Sequence, residues 1–177
     1  MWFSDAMNRR RWISGAGGVA LAGVLTGCGF KLRGNLRFAF DSIAVTPQSG
    51  SAVAVELRRA LDGNVKVLEF RPAPAAASAQ PQVVLDVLTE QREKTVVGVN
   101  AAGQVREFQL RIRVKFRLRT PEGRELIADT ELLQQRDISF NESAVLAKEA
   151  EENLLYSNMQ TDIVQQLMRR LAAARLN

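Results

Sequence analysis

The chain has 177 residues with a formal charge of +5, no histidine and one cysteine. That length gives one domain plus appendages, with enough chain for a sizeable core. Without imidazole a His-based nucleophile, general base or zinc site is excluded, and one cysteine excludes an internal disulfide.

The N-terminus has three parts. Asn8-Arg9-Arg10-Arg11 is a positive region, Trp12 to Leu25 is a short apolar stretch rich in Gly and Ala, and Leu25-Thr26-Gly27-Cys28 follows. The apolar part is shorter than the about 20 residues needed to span a bilayer. It therefore reads as an export signal over 1–27, removed to leave a mature chain of residues 28–177. Met7 is an alternative start, and Arg10-Arg11 leaves Sec and twin-arginine export both open. Leu25-Thr26-Gly27-Cys28 resembles the lipobox of bacterial lipoproteins, in which the cysteine is acylated. Small residues admit the peptide bond to a peptidase cleft, and the thiol is a strong nucleophile for acyl transfer. Cys28 is thus the expected lipidation site, and covalent lipid is the only attached group expected, with no cofactor and no metal. By the same resemblance, Gly29 in place of an aspartate favours the outer membrane. The mature chain keeps 21 basic against 18 acidic residues. This modest balance, with no zinc-finger spacing or aromatic RNA-binding motif, argues against nucleic acid as a partner.

Phe38 to Thr46 alternates and is closed by Pro47, which predicts a strand. Ser51 is placed to cap a helix over Ala52 to Asp62, with Val53, Leu57 and Leu61 on one face and Gly63 at the left-handed C-terminal position. Val65 to Phe70 reads as a short strand. Residues 71–82 are Pro- and Ala-rich and read as a flexible surface loop. Gln82 to Val97 is a long strand with Val83, Leu85 and Val87 toward the core. Asp86, Glu90, Arg92 and Lys94 are expected on the opposite side.

Arg106 to Arg119 alternates without a break, Phe108, Leu110, Ile112, Val114, Phe116 and Leu118 on one parity and mostly cations on the other. This is a half-buried strand. Thr120-Pro121-Glu122-Gly123-Arg124 reads as a tight hairpin. Its register predicts Arg119 opposite Glu125, Lys115 opposite Asp129, Arg113 opposite Glu131 and Glu107 opposite Asp137, so most of the cation ladder is matched. Arg111 and Arg117 fall opposite Leu133 and Ile127, without an obvious partner, open to an anionic ligand or to water. The three long strands form an antiparallel meander. Ser139-Phe140-Asn141-Glu142 reads as a capping box for a helix running to Leu176. In that helix Leu155, Met159, Ile163, Leu167 and Leu171 form one stripe. No carboxylate sits among apolar neighbours that would raise its pKa, so nothing points to an enzyme.

Three motifs together carry a wider resemblance: Cys28-Gly29-Phe30-Lys31-Leu32-Arg33, Gly103-Gln104-Val105-Arg106-Glu107-Phe108-Gln109-Leu110, and Ala147-Lys148-Glu149. With the order strand, helix, three-strand meander and long helix, the chain resembles the LptE family of lipopolysaccharide-assembly lipoproteins. The resemblance implies an α+β, two-layer sandwich: a mainly antiparallel sheet with two helices packed on one face. It also implies a lipid-anchored outer-membrane protein, on the periplasmic side, seated in the lumen of an LptD-type β-barrel as a heterodimer rather than a homo-oligomer. Lipopolysaccharide is the implied ligand, bound through basic residues. Lys148 matches one such position. The loop that carries the second reads Gly98-Val99-Asn100-Ala101-Ala102, without a cation, and Arg106 just beyond is the substitute. An alternative reading is a lipid-anchored periplasmic scaffold or amphiphile-binding domain with another partner. It would show an enclosed apolar pocket.

Overall fold

A computed structural model describes residues 36–47, 50–70 and 80–176. The expected signal 1–27, Cys28 and residues 71–79 of the expected loop lie outside the described residues. Strand β1 is Ser42–Thr46, helix α1 is Ala52–Leu61, and β2 is Lys66–Val67. Three long strands follow, β3 (Val83–Val99), β4 (Val105–Arg119) and β5 (Glu125–Ser139), then a 3-10 turn (Glu142–Ala144) and helix α2 (Val145–Ala173). The sheet order is β2-β1-β3-β4-β5. β1 runs parallel to β2 and to β3, while β3, β4 and β5 form the antiparallel meander. This is the expected α+β sandwich, with both helices on one side of a mostly antiparallel sheet.

Local chemistry explains most boundaries. Ser51 Oγ accepts from Ala54 N at 2.9 Å and caps α1, and Gly63 beyond its end has φ +86°. Gly123 has φ +100° in the β4–β5 turn, closed by Thr120 N to Arg124 O at 2.8 Å. A side chain at either position would have to adopt a left-handed backbone. The expected capping box is not the start of α2: Ser139 is the last residue of β5, and Asn141 Oδ1 accepts from Ser143 N at 3.1 Å to cap the 3-10 turn instead. The strands expected over 38–46 and 65–70 are shorter. Phe40 is buried ahead of β1 without joining it.

The core is lopsided along the sheet. Near the Gly123 turn, Leu85, Ile112, Phe116 and Leu118 meet Ile43, Leu57, Leu61, Ile163, Leu167 and Leu171, all buried completely. The predicted α2 stripe faces the core throughout, partly buried at Leu155 and fully buried from Met159 onward. Toward the far end of the meander the same interface turns polar. Arg92 Nη2 donates to Gln160 Oε1 at 2.6 Å, Tyr156 Oη donates to Glu93 O at 2.8 Å, and Lys94 meets Glu152 at 2.6 Å.

Two irregularities correct the sequence reading, one of faces and one of partners. In β3 the pairing with β4 shifts between Val87 and Thr89. Leu88 is the extra residue of a β-bulge, and a one-residue slip sends every later side chain to the other face. Asp86 therefore stays on the open side with Arg117, while Glu90, Arg92 and Lys94 turn toward the helices. In β4–β5 the pairing holds at Arg119–Glu125 and then shifts through Leu118–Ile127 to Lys115–Glu131, Arg113–Leu133 and Glu107–Ser139. Beyond the turn the predicted register is thus off by two residues, which preserves faces but changes partners.

Candidate functional site

The open face of the meander carries the cation ladder. Arg113 reaches Glu131 at 3.5 Å and Lys115 reaches Asp129 at 3.2 Å, so the predicted ion pairs survive as diagonals across the shifted register. Arg117, expected without a partner, has one on the strand to its other side. Its Nε donates to Asp86 Oδ2 at 2.9 Å, and Arg119 Nε donates to the same oxygen at 2.7 Å. Thr46 Oγ1 adds a bond to Asp86 Oδ1 at 2.7 Å. Burial pushes the Asp86 carboxyl up, but the bonds from Arg119, Thr46 and Arg117 outweigh it and hold the group below its ordinary range. Arg111 faces Gln135, not Leu133, and its Nε donates to Gln109 Oε1 at 2.8 Å. Arg111 and Arg117 are thus members of a balanced polar surface. The predicted site residues do not converge, because the sheet separates these two from Lys148.

Lys148 lies on the helix side, in the first turns of α2. Its Nζ donates to Ser139 Oγ at 3.0 Å and to Glu151 Oε2 at 2.8 Å. It stands at a slot of about 70 Å³ between α2 and the ends of β4 and β5, floored by Phe108, Ile138 and Phe140. Phe108 and Phe140 meet edge to face with centroids 5.3 Å apart. Lys94, which the alternation assigned to the opposite face, lines the same slot: the Leu88 bulge brings its ammonium to 4.4 Å from the Phe108 ring centre and into contact with Glu152. An ammonium over a phenyl face is attracted by the ring quadrupole.

Arg106 is at the start of β4, on the parity of Phe108 and so on the helix side. Its backbone oxygen accepts from Phe140 N at 2.7 Å, and its Nη2 donates to Gln104 Oε1 at 3.3 Å. Val145, which lines the slot, is 41 % exposed, and Val96, opposite Phe108 on β3, is 45 % exposed, so part of the rim is apolar and open. This end of the molecule therefore offers ammonium and guanidinium groups beside phenyl and aliphatic surface, the two chemistries of an anionic amphiphile. Each lysine also has a carboxylate partner, so an anion would bind by exchange with Glu151 or Glu152. Sequence reading missed Lys94 because only the bulge moves it here; the signal for the bulge is the apolar pair Val87-Leu88, which breaks the alternation.

No group of His, Cys, Asp and Glu able to hold a metal ion occurs among the described residues. No helix among them is long and apolar enough to cross a membrane.

Comparison with known proteins gives the same answer in sequence and in fold. The family model LptE, described as lipopolysaccharide-assembly, matches residues 38–171. A lipoprotein B from Nitrosomonas europaea, solved in solution, is 32 % identical with a TM-score of 0.67, covering 82 % of this chain and 91 % of its own. The rare lipoprotein B of Shewanella oneidensis is 22 % identical with a TM-score of 0.61, covering 75 % and 94 %. A minor lipoprotein of Acinetobacter baumannii, 18 % identical with a TM-score of 0.59, covers 78 % and 96 %. The latter two show the fold alone. No curated protein matches the chain.

Proposed function

Because the chain belongs to the LptE family of lipopolysaccharide-assembly proteins, we propose that it is an outer-membrane lipoprotein, anchored by lipid on Cys28, that plugs an LptD-type β-barrel and assists lipopolysaccharide insertion. The observation that carries the plug reading is the open face of the meander. β4 has 15 residues, roughly 50 Å at the rise of an extended strand, against a hydrocarbon core of about 30 Å. Along that length Arg113, Lys115, Arg117 and Arg119 are matched by Glu131, Asp129 and Asp86, and Arg111 donates to Gln109. A long, ionically balanced polar surface suits the polar, water-filled interior of a barrel. A large apolar patch there would have suited a lipid face instead. The closely packed core gives no support to the alternative of an amphiphile carrier with a large enclosed apolar pocket.

Lipopolysaccharide is the ligand proposed for the slot end. Its phosphates suit Lys148 and Arg106, with Lys94 as a further cation, and its acyl chains suit Phe108, Phe140 and the open rim. Arg111 and Arg117 have no part in this contact. The test is lipopolysaccharide binding by the Lys148→Glu, Arg106→Glu double variant, alongside Arg111→Glu. The double variant is expected to lose binding while its circular dichroism is unchanged, with Arg111→Glu as the wild type. Unchanged binding in a folded double variant rules the contact out.

A further inference from the structure

β5 ends the sheet, and among the described residues no strand pairs with its outer edge. Alternate residues of such a strand turn their N–H and C=O groups outward, which is a template for another strand. The opposite edge, β2, is only two residues long. Edges are usually blunted by shortness, proline, a bulge or an inward lysine. Between Thr130 and Ser139, β5 has no proline, glycine or lysine, and its register with β4 runs there without a shift. Arg136, the only cation in that stretch, reaches Asp162 on the helix side at 3.1 Å with Nη2 and donates from Nη1 to Gln135 O at 2.9 Å, a side-chain bond that an incoming strand would displace.

The open side of this stretch presents Glu131, Leu133, Gln135 and Asp137. Leu133 is 47 % exposed, large for an apolar residue in a strand with nothing beside it. On β4, Glu131 stands opposite Lys115 and contacts Arg113, and Asp137 accepts from Gln109, while among the described residues no strand meets the outer side of either carboxylate. We infer that β5 is a docking edge for a basic, extended segment of another polypeptide, added antiparallel as a sixth strand. In the segment's own direction the residues facing the open side would be a cation against Asp137, a small polar residue against Gln135, an apolar residue against Leu133 and a cation against Glu131. A second copy of this chain does not fit. Its β5 would bring a second acidic column, with no cation on that side to meet the first. The inference does not rest on the barrel reading, since the strands of a closed barrel have no spare edge to offer.

Disulfide trapping tests it. The full chain carrying Gln135→Cys, in detergent micelles, is mixed with the synthetic peptide Lys-Thr-Cys-Thr-Val-Thr-Lys, and the wild-type chain is run alongside to account for any reaction at Cys28. Trapping at residue 135 is expected to be about tenfold faster than with the peptide in which Glu replaces both lysines, since each cross-strand charge pair then changes sign. It should also fall when the peptide cysteine is moved by one residue, because its side chain then faces away. Equal trapping by both peptides, indifference to cysteine position, no trapping, or a disulfide-linked dimer of this chain as the main product overturns the inference. Amide exchange of the unsubstituted chain gives an independent reading, using the peptide with Ser in place of its cysteine. That peptide should slow exchange at alternate residues between Thr130 and Ser139, and uniform or absent protection counts against it.

Discussion

Glu90 Oε2 accepts a hydrogen bond from Ser51 Oγ at 2.7 Å and a second from Val53 N at 3.2 Å, so a strand residue completes the N-terminal cap of α1. The contact exists only because the Leu88 bulge turns Glu90 toward the helices. A carboxylate at a helix N-terminus satisfies orphan N–H groups and meets the positive end of the dipole.

Glu90→Ala is therefore expected to cost about 1–2 kcal/mol, the range for a hydrogen bond to a charged group together with a cap. Glu90→Gln, which keeps an acceptor, should cost less. Deleting Leu88 should cost more than either, because it returns Glu90, Arg92 and Lys94 to the open face. Urea midpoints of the three variants check the order.

Asp86 ties β1, β3 and β4 together through Thr46, Arg117 and Arg119. Asp86→Asn is expected to destabilise by about 2 kcal/mol, the scale of charge-assisted bonds at a nearly buried carboxylate. Its folded pKa is depressed below the ordinary 3.8. Its stabilisation is therefore fully present above the unfolded value and is lost as pH falls through the folded one. The wild type should lose stability in that acid window faster than Asp86→Asn, so the two curves converge at low pH. Parallel curves down to the acid limit would contradict this role.

Phe116 is completely buried between the sheet and α2. Phe116→Ala should cost about 3–5 kcal/mol, transfer free energy plus a cavity that close packing cannot refill. Leu133→Ala, at an exposed position of the same sheet, should leave the midpoint nearly unchanged.

The two halves of α2 are held differently. From Met159 on, apolar residues are sealed against the core, while before it Leu155 and Tyr156 pack only partly buried beside exposed ion pairs, among them Lys94–Glu152 and Lys148–Glu151. Surface pairs contribute little and are screened by salt. Amide exchange should therefore be faster over 146–157 than over 159–171, and raising the salt should widen the gap.

Strong periodicity made most of the fold legible. The unbroken alternation of β4, the Leu57 and Leu61 spacing, the Ser51 cap and the Met159 to Leu171 stripe each have one physical reading, and each is found. What stayed hidden are departures of one residue. The Leu88 bulge inserts one extra residue into β3, and it moves Lys94 into the slot beside Lys148. The shift after Leu118 moves Arg113 from Glu131 to Leu133 without changing which side it faces. The hairpin register gives Arg117 no partner on β5, and its partner Asp86 reaches it from β3, a pairing the hairpin does not specify. Ser139 resembled a cap because Ser-x-x-Glu describes a spacing, and the strand simply continues through it.

The central claim is that this chain works inside a β-barrel partner in lipopolysaccharide assembly. The most direct measurement is to solubilise outer membranes in mild detergent, recover the full chain by a C-terminal tag, and quantify what elutes with it. One large β-barrel protein is expected in equal amount, retained at high salt. Recovery of this chain alone, free of any barrel, would contradict that claim.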